Sequence, residues 1–346
     1  MSKKESTILK GLAILMMLFL HLFNNLNDVS SYQPLVYFGQ IPLVNIISRS
    51  CSPVCIFVIL SGYGLSSCRD SCRLDLRNNC FRILKLYLYY WLSLLVFVSV
   101  GSTVAPYKYP GTWRILIENI IGISSSYNAE TWFLFPYVLL AFSSPLLFHM
   151  LEKFGSRLSF AISFLLYFAS ICVIHYYVAP TKSYDAPWFI VVVYANLLFS
   201  FMLGAILYNY SKNHTLYNKF FHHSNFWAVA VFVGLFCLHF LTSFQGLNPL
   251  YEFLLVIAFL QIRLSKWLEN VFLMFGKYSM PMWLTHTYYC RYLFHDVIYA
   301  FKYPLLIYLV LLFLSLLTAW LMMTLLNPLT SWLRSKILGG VAVLSK

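Results

Sequence analysis

Apolar stretches of about twenty residues recur along this chain, from its first ten residues to about residue 326, separated by short polar connections. About 20 apolar residues are what an α-helix needs to cross the hydrocarbon core of a bilayer. In lipid a segment must satisfy its backbone hydrogen bonds internally, so such stretches fold as helices. The fold class read from them is an all-α polytopic membrane protein with about ten transmembrane helices. They are placed near 8–27, 46–67, 81–104, 131–151, 157–178, 187–208, 225–244, 247–264, 271–299 and 303–326. Only 10% of the residues are charged and the mean hydropathy is +0.73, whereas soluble domains carry about a quarter charged residues. The first stretch runs on into His21 and Asn24 without a small-residue cleavage site, so it reads as a retained span.

The net charge of +13 invites a nucleic-acid reading, but its distribution argues against one. With the N-terminus inside, one set of connections holds Lys3, Lys4, Arg69, Arg73, Arg77, Lys153, Arg157, Lys212, Lys219, Lys266, Arg334 and Lys336. The opposite side holds Arg49, Lys108, Arg114, Lys182 and Lys302. That asymmetry follows the positive-inside rule and puts both termini in the cytoplasm. No connection is long enough for a soluble domain, so residues 1–346 read as one membrane-embedded domain. The eight cysteines, among them Cys51, Cys55, Cys68, Cys72 and Cys80, lack the paired spacing with histidine that a metal site requires, and no metal is expected. The connection 105–130 contains YKYPG and then WRILIENIIGI, whose apolar residues recur at helical spacing. It reads as an interfacial anchor or a lid. Segment 31–47 is a second interface-like piece, and the tail after 327 a juxtamembrane helix.

Within this apolar frame a few polar side chains stand out. Lys10 and His21 lie on the first stretch with ten almost entirely apolar residues between them. Eleven positions make about three helical turns, so the two share a face about 16 Å apart. An ionisable residue inside a membrane is costly and marks a functional site by default; a lysine alone also serves as a snorkelling anchor, and a histidine alone as a packing residue. Asn24, Asn25 and Asp28 extend the stripe. They either bind a hydroxylated substrate above the imidazole or mark the helix end. Ser61, Gly62 and Gly64 interrupt the second stretch with small residues, which suits close helix packing or a slim ligand against the backbone. Arg69, Arg73, Arg77, Arg82 and Lys85 follow it. Arg82 and Lys85 continue into the third stretch, where topology alone does not require them, and could hold phosphates. Glu130, one of 11 acidic residues, stands beside Trp132 and Phe133. The ninth stretch carries Lys277, Ser279, His286, Arg291, His295 and Asp296, which reads as a single unusually polar membrane helix with His286 near its middle.

These residues resemble the integral-membrane acyltransferase family 3, whose members include bacterial surface-glycan O-acetyltransferases. The matching elements are Lys10-GLAILMMLFL-His21; Phe57-VIL-Ser61-Gly62; Arg82-IL-Lys85 with Trp91; Trp132-Phe133-Leu134; and Gly276-Lys277-Tyr278-Ser279 with Leu284-Thr285-His286. Departures at Phe81, Leu88 and Met280 touch the third-helix and late elements. The resemblance implies an acyltransferase of the bacterial inner or plasma membrane. It would move an acyl group, most often acetyl, from cytosolic acyl-coenzyme A to a hydroxyl on a glycan or lipid-linked acceptor, with membrane lipids as neighbours and no nucleic acid. Arg82 and Lys85 would hold the donor phosphates, and the thioester arm would pass Ser61 and Gly62. His21, with Lys10 behind it, would be the catalytic base or carry the acyl group itself. Asn24, Asn25, Glu130, Trp132, Ser279 and His286 would face the acceptor, and Ser61, Ser279 or a backbone amide would stabilise the oxyanion. A transporter or flippase for a lipid-linked or polar solute is the rival reading, and a polysaccharide-export partner without chemistry a third.

Overall fold

A computed structural model of the chain describes residues 1–71, 73–213, 225–242 and 245–338. Cys72, Lys219, the last residues of the seventh stretch and the end of the tail lie outside the described residues. The described part is almost wholly helical: α1 Lys3–Phe23, α2 Leu43–Arg49, α3 Pro53–Asp70, α4 Leu76–Val104, α5 Trp113–Ile121, α6 Leu134–Val173, α7 Phe189–Asn213, α8 Asn225–Thr242, α9 Asn248–Leu260, α10 Lys266–Thr287, α11 His295–Tyr299 and α12 Pro304–Leu338. Among the described residues, six segments are long and apolar enough to cross a membrane: Lys3–Phe23, Leu43–Asp70, Leu76–Val104, Ala129–Thr181, Phe189–Lys212 and Pro304–Leu338. The chain is a multi-pass membrane protein.

Local sequence explains where these helices start. Ser2 caps α1 in a reciprocal box with Glu5, its hydroxyl accepting from the Glu5 N–H while the Ser2 N–H donates to the Glu5 carboxylate. Asp75 caps α4 through the Asn78 N–H at 2.7 Å, and that hydrogen bond holds its carboxyl below the usual carboxylate range.

The 40-residue α6 would be about 60 Å long if straight. It is broken at Gly155, which adopts φ 76°, ψ 168°. Ser143 and Ser170 would stand about 40 Å apart on a straight helix. Yet Ser143 meets Tyr194 at 2.8 Å and the Ser170 hydroxyl accepts from Asn196 at 3.2 Å, partners two positions apart on α7. Gly155 is therefore the tip of a hairpin whose two arms both lie along α7, matching the separate stretches read at 131–151 and 157–178.

Two helix pairs are locked by glycine. A side chain at Gly11 would run into the backbone carbonyl of Phe272, and one at Gly276 into that of Thr7, so α1 and α10 touch backbone to backbone. Lys4–Glu269, Gly11–Gly276 and His21–His286 keep one constant sequence offset, which means the two helices run parallel and in register. Gly62 and Gly204 make the same arrangement between α3 and α7, against the carbonyls of Phe201 and Ile59, and Asp70–Lys212 keeps that pair's offset too. The interruption at Gly62 is thus filled by a neighbouring helix.

The amphipathic α5 lies on α4, with Trp113 and Ile117 exposed. Its last carbonyls, Asn119, Ile120 and Ile121, accept from Tyr90, Trp91 and Tyr87 of α4 at 2.7, 2.9 and 2.6 Å, so the groups a helix end leaves unpaired are satisfied. The ninth stretch is corrected by the structure. It is not one helix over 271–299: α10 ends at Thr287, a π turn covers Tyr288–Tyr292, and His295 and Asp296 open α11. His286 accordingly sits in the last turn of α10 and not at mid-span. Arg291 lies within the π turn, from which its Nε reaches the His21 carbonyl of α1.

The glycine contacts give a direct contrast. Gly62→Ala is expected to lower the thermal midpoint of the detergent-solubilised protein by a cost of about 1–3 kcal/mol. Gly64→Ala, where an added side chain meets nothing within 4 Å, should leave it unchanged. Equal midpoints would remove the backbone contact as the role of Gly62.

Candidate active site

The site is built on the C-terminal end of α1, where the carbonyls after Leu20, whose own O accepts from Asn24 N at 2.9 Å, have no partner within the helix. His21 O accepts from Arg291 Nε at 3.3 Å, Leu22 O from Tyr299 at 2.7 Å and Phe23 O from Asn45 Nδ2 at 2.6 Å. Three separate segments thereby hold this helix end in place, and a cation sits where the helix dipole favours one.

His21 is buried. Its Nε2 lies 3.2 Å from Glu130 Oε2, and its Nδ1 has no partner among the described residues. A carboxylate only accepts, so Nε2 carries the proton and Nδ1 presents the lone pair. Glu130 is fixed on every side. Its Oε1 is 3.2 Å from Arg291 Nη1, its N–H donates to Asn128 Oδ1 at 3.1 Å, and its carbonyl accepts from Trp283 Nε1 at 3.0 Å. Asn128 in turn donates to Leu284 O and accepts from Thr287 Oγ1 at 2.9 Å, while Ala129 N donates to the Tyr292 hydroxyl at 3.0 Å. The turn that carries Glu130 is stitched to α10 and the π turn. Arg291 completes the set by donating to Asn24 Oδ1 at 2.8 Å.

His286 is fully buried and its ring centroid is 5.1 Å from that of His21. Its Nδ1 lies 2.9 Å from Trp283 O and 3.1 Å from Met282 O. Carbonyls accept, so Nδ1 carries the proton, and the lone pair is on Nε2, which has no partner. The two neighbouring imidazoles therefore have opposite tautomers, set by their surroundings. Beside the π turn, Lys108 lies 3.7 Å over the Tyr292 ring, and burial lowers its pKa to about 8.

Of the residues picked from sequence, His21, Glu130, His286 and Asn24 come together here. Ser279 is buried on α10 with its hydroxyl bonded to Gly276 O at 2.9 Å. Asn25 caps the following turn, accepting from Asn27 N and donating to Asp28. Trp132 is exposed and packs on Phe133, which stacks on Trp283 at 4.5 Å. Ser61 donates to the Tyr137 hydroxyl at 3.3 Å. Arg82 donates to Asn79 Oδ1 at 2.7 Å and to Arg73 O at 3.3 Å. Lys10 and Lys85 are half-buried and have no carboxylate at ion-pair distance among the described residues. Among the described residues no group of three or more His, Cys, Asp or Glu could hold a metal.

Sequence reading missed Asn128, Thr287, Trp283 and Tyr292, and gave Arg291 no role although a cation within an apolar stretch was the available signal. A family model described as an acyltransferase domain matches residues 4–324. The chain belongs to acyltransferase family 3. No curated protein and no solved structure matches it. As an acyltransferase of this family, it carries the His21–Glu130–Arg291 chain inside the matched region.

Removing Arg291 would leave Glu130 charged and largely buried with one partner fewer. Arg291→Ala in this acyltransferase is expected to destabilise by about 3 kcal/mol, read as a lower thermal midpoint. The double variant Arg291→Ala, Glu130→Gln should recover part of that loss. No recovery would mean that the two side chains are not coupled.

Proposed function

We propose that this acyltransferase moves an acyl group, acetyl foremost, from cytosolic acyl-coenzyme A to a hydroxyl of a cell-envelope glycan or lipid-linked saccharide at a bacterial plasma membrane. The observation that carries this reading is the His21–Glu130 pair, whose imidazole offers an unpartnered lone pair on Nδ1. It stands about 16 Å along one helix from Lys10. In this account the acceptor hydroxyl loses its proton to Nδ1 as its oxygen attacks the acyl carbon. Glu130 stabilises the imidazolium that forms, and Arg291 keeps Glu130 aimed. Asn24, whose Oδ1 is held by Arg291, would offer its Nδ2 to the oxyanion. Ser61 and Ser279 already donate elsewhere.

Lys10 and Lys85, unpaired by carboxylates, would meet the phosphates of the donor at the inner end. Arg82 would join them by releasing Asn79. Asn25 and Trp132 would then act at the margin of the acceptor, and Gly62 as a packing residue. The chain is read as crossing ten times with both termini cytoplasmic. In support, α1, α3, α4, the two arms of α6, α7, α8, α9, α10 and α12 make that number. On that count the parallel pairs α1–α10 and α3–α7 are the first with the ninth and the second with the sixth, each crossing in one direction.

His21→Ala should lower acyl transfer by about a thousandfold and Glu130→Gln by about a hundredfold, measured as label moved from acetyl-coenzyme A to envelope glycan. Both proteins should keep the wild-type gel-filtration profile. Full transfer by His21→Ala would sink the assignment.

A further inference from the structure

The two histidines are equipped for different tasks. His21 has an acid-base partner in Glu130 at 3.2 Å. His286 has none: its Nδ1–H is spent on the Met282 and Trp283 carbonyls, and among the described residues no carboxylate lies on it. What His286 offers is a buried Nε2 lone pair, held in one orientation by the ring's other nitrogen and without a donor to satisfy it. An unsatisfied buried polar atom calls for an explanation. Helix packing alone does not supply one here, because Gly11 and Gly276 bring the two rings level, with their centroids 5.1 Å apart. A base needs a counter-charge for the proton it gains, and His286 lacks it. A nucleophile needs a fixed lone pair beside a separate base, and His286 has both.

We infer that His286 is the acyl carrier of this enzyme and His21 its general base, so that transfer proceeds through an acyl-His286 intermediate. This rests on the acyltransferase reading with an acyl-coenzyme A donor. In the first half, His286 Nε2 bonds to the thioester carbonyl carbon, the C–S bond breaks, and coenzyme A departs as the thiolate. The acyl-imidazolium left behind keeps its Nδ1–H on the Met282 and Trp283 carbonyls. In the second half, the acceptor hydroxyl oxygen bonds to that carbon, its proton passes to His21 Nδ1, and the C–N electron pair returns to Nε2. The proton then leaves His21 and neutralises the thiolate charge, so the net products are an ester and the free thiol. Glu130 serves the second half only.

The test needs no acceptor. Purified full-length protein is mixed with acetyl-coenzyme A and radiolabelled coenzyme A, and label entering acetyl-coenzyme A is followed. The wild type should exchange label. His21→Ala should exchange within about tenfold of wild type while losing transfer to glycan by about a thousandfold. His286→Gln should lose both at least a hundredfold while keeping the wild-type thermal midpoint. Transfer to glycan without any exchange in the wild type would overturn the acyl-His286 step and leave the transferase reading standing. So would a His286→Gln protein that transfers at the wild-type rate. Absence of both exchange and transfer from acetyl-, succinyl- and longer acyl-coenzyme A would overturn both.

Discussion

The rest of the site depends on backbone contact between α1 and α10. With Gly11 against the Phe272 carbonyl and Gly276 against that of Thr7, the helices are close enough that their register is set by main chain, which does not change rotamer. In lipid, where water no longer drives apolar surfaces together, such close van der Waals contact is a principal source of helix association. Its consequence appears roughly two to two and a half turns beyond each helix's middle. His21 and His286 arrive at the same level, and the carbonyls that end α1 come within reach of Arg291 and Tyr299.

The second constraint is electrostatic. A carboxylate buried beside apolar helices loses hydration, and only good geometry with hydrogen-bonding partners compensates. Glu130 has Arg291 on one oxygen and His21 on the other, and its backbone is pinned by Asn128 and Trp283. The same contacts that make the charge tolerable also orient the imidazole. Stability and catalytic geometry therefore share one set of bonds, and one arginine bridges both.

Much of this was legible in the sequence where a residue's chemistry clashed with its surroundings. Lys10, His21 and His286 stand out because ionisable groups in apolar stretches have few bland explanations. The two stretches around Gly155 were also readable, since each by itself has the length of a crossing. Gly62 was not decidable, because a small residue suits helix packing and ligand approach equally, and the Phe201 carbonyl that meets it lies far along the chain. Arg291 was visible as an intramembrane cation, but its reach to α1 depends on the π turn at Tyr288–Tyr292, which no periodicity announces. The same turn is why a uniform apolar stretch over 271–299 was read as one helix. Asn128 and Thr287 are ordinary polar residues until the fold places them against each other.

The central claim is that the two buried imidazoles hold opposite tautomers, His21 with its proton toward Glu130 and His286 with its proton on the carbonyls of α10. Nitrogen-15 magnetic resonance of histidine-labelled protein in lipid reads this directly, with the two signals assigned through His21→Asn and His286→Gln. His21 is expected in the Nε2–H form and His286 in the Nδ1–H form. A proton on Nδ1 of His21, leaving no lone pair for the acceptor hydroxyl, would contradict it.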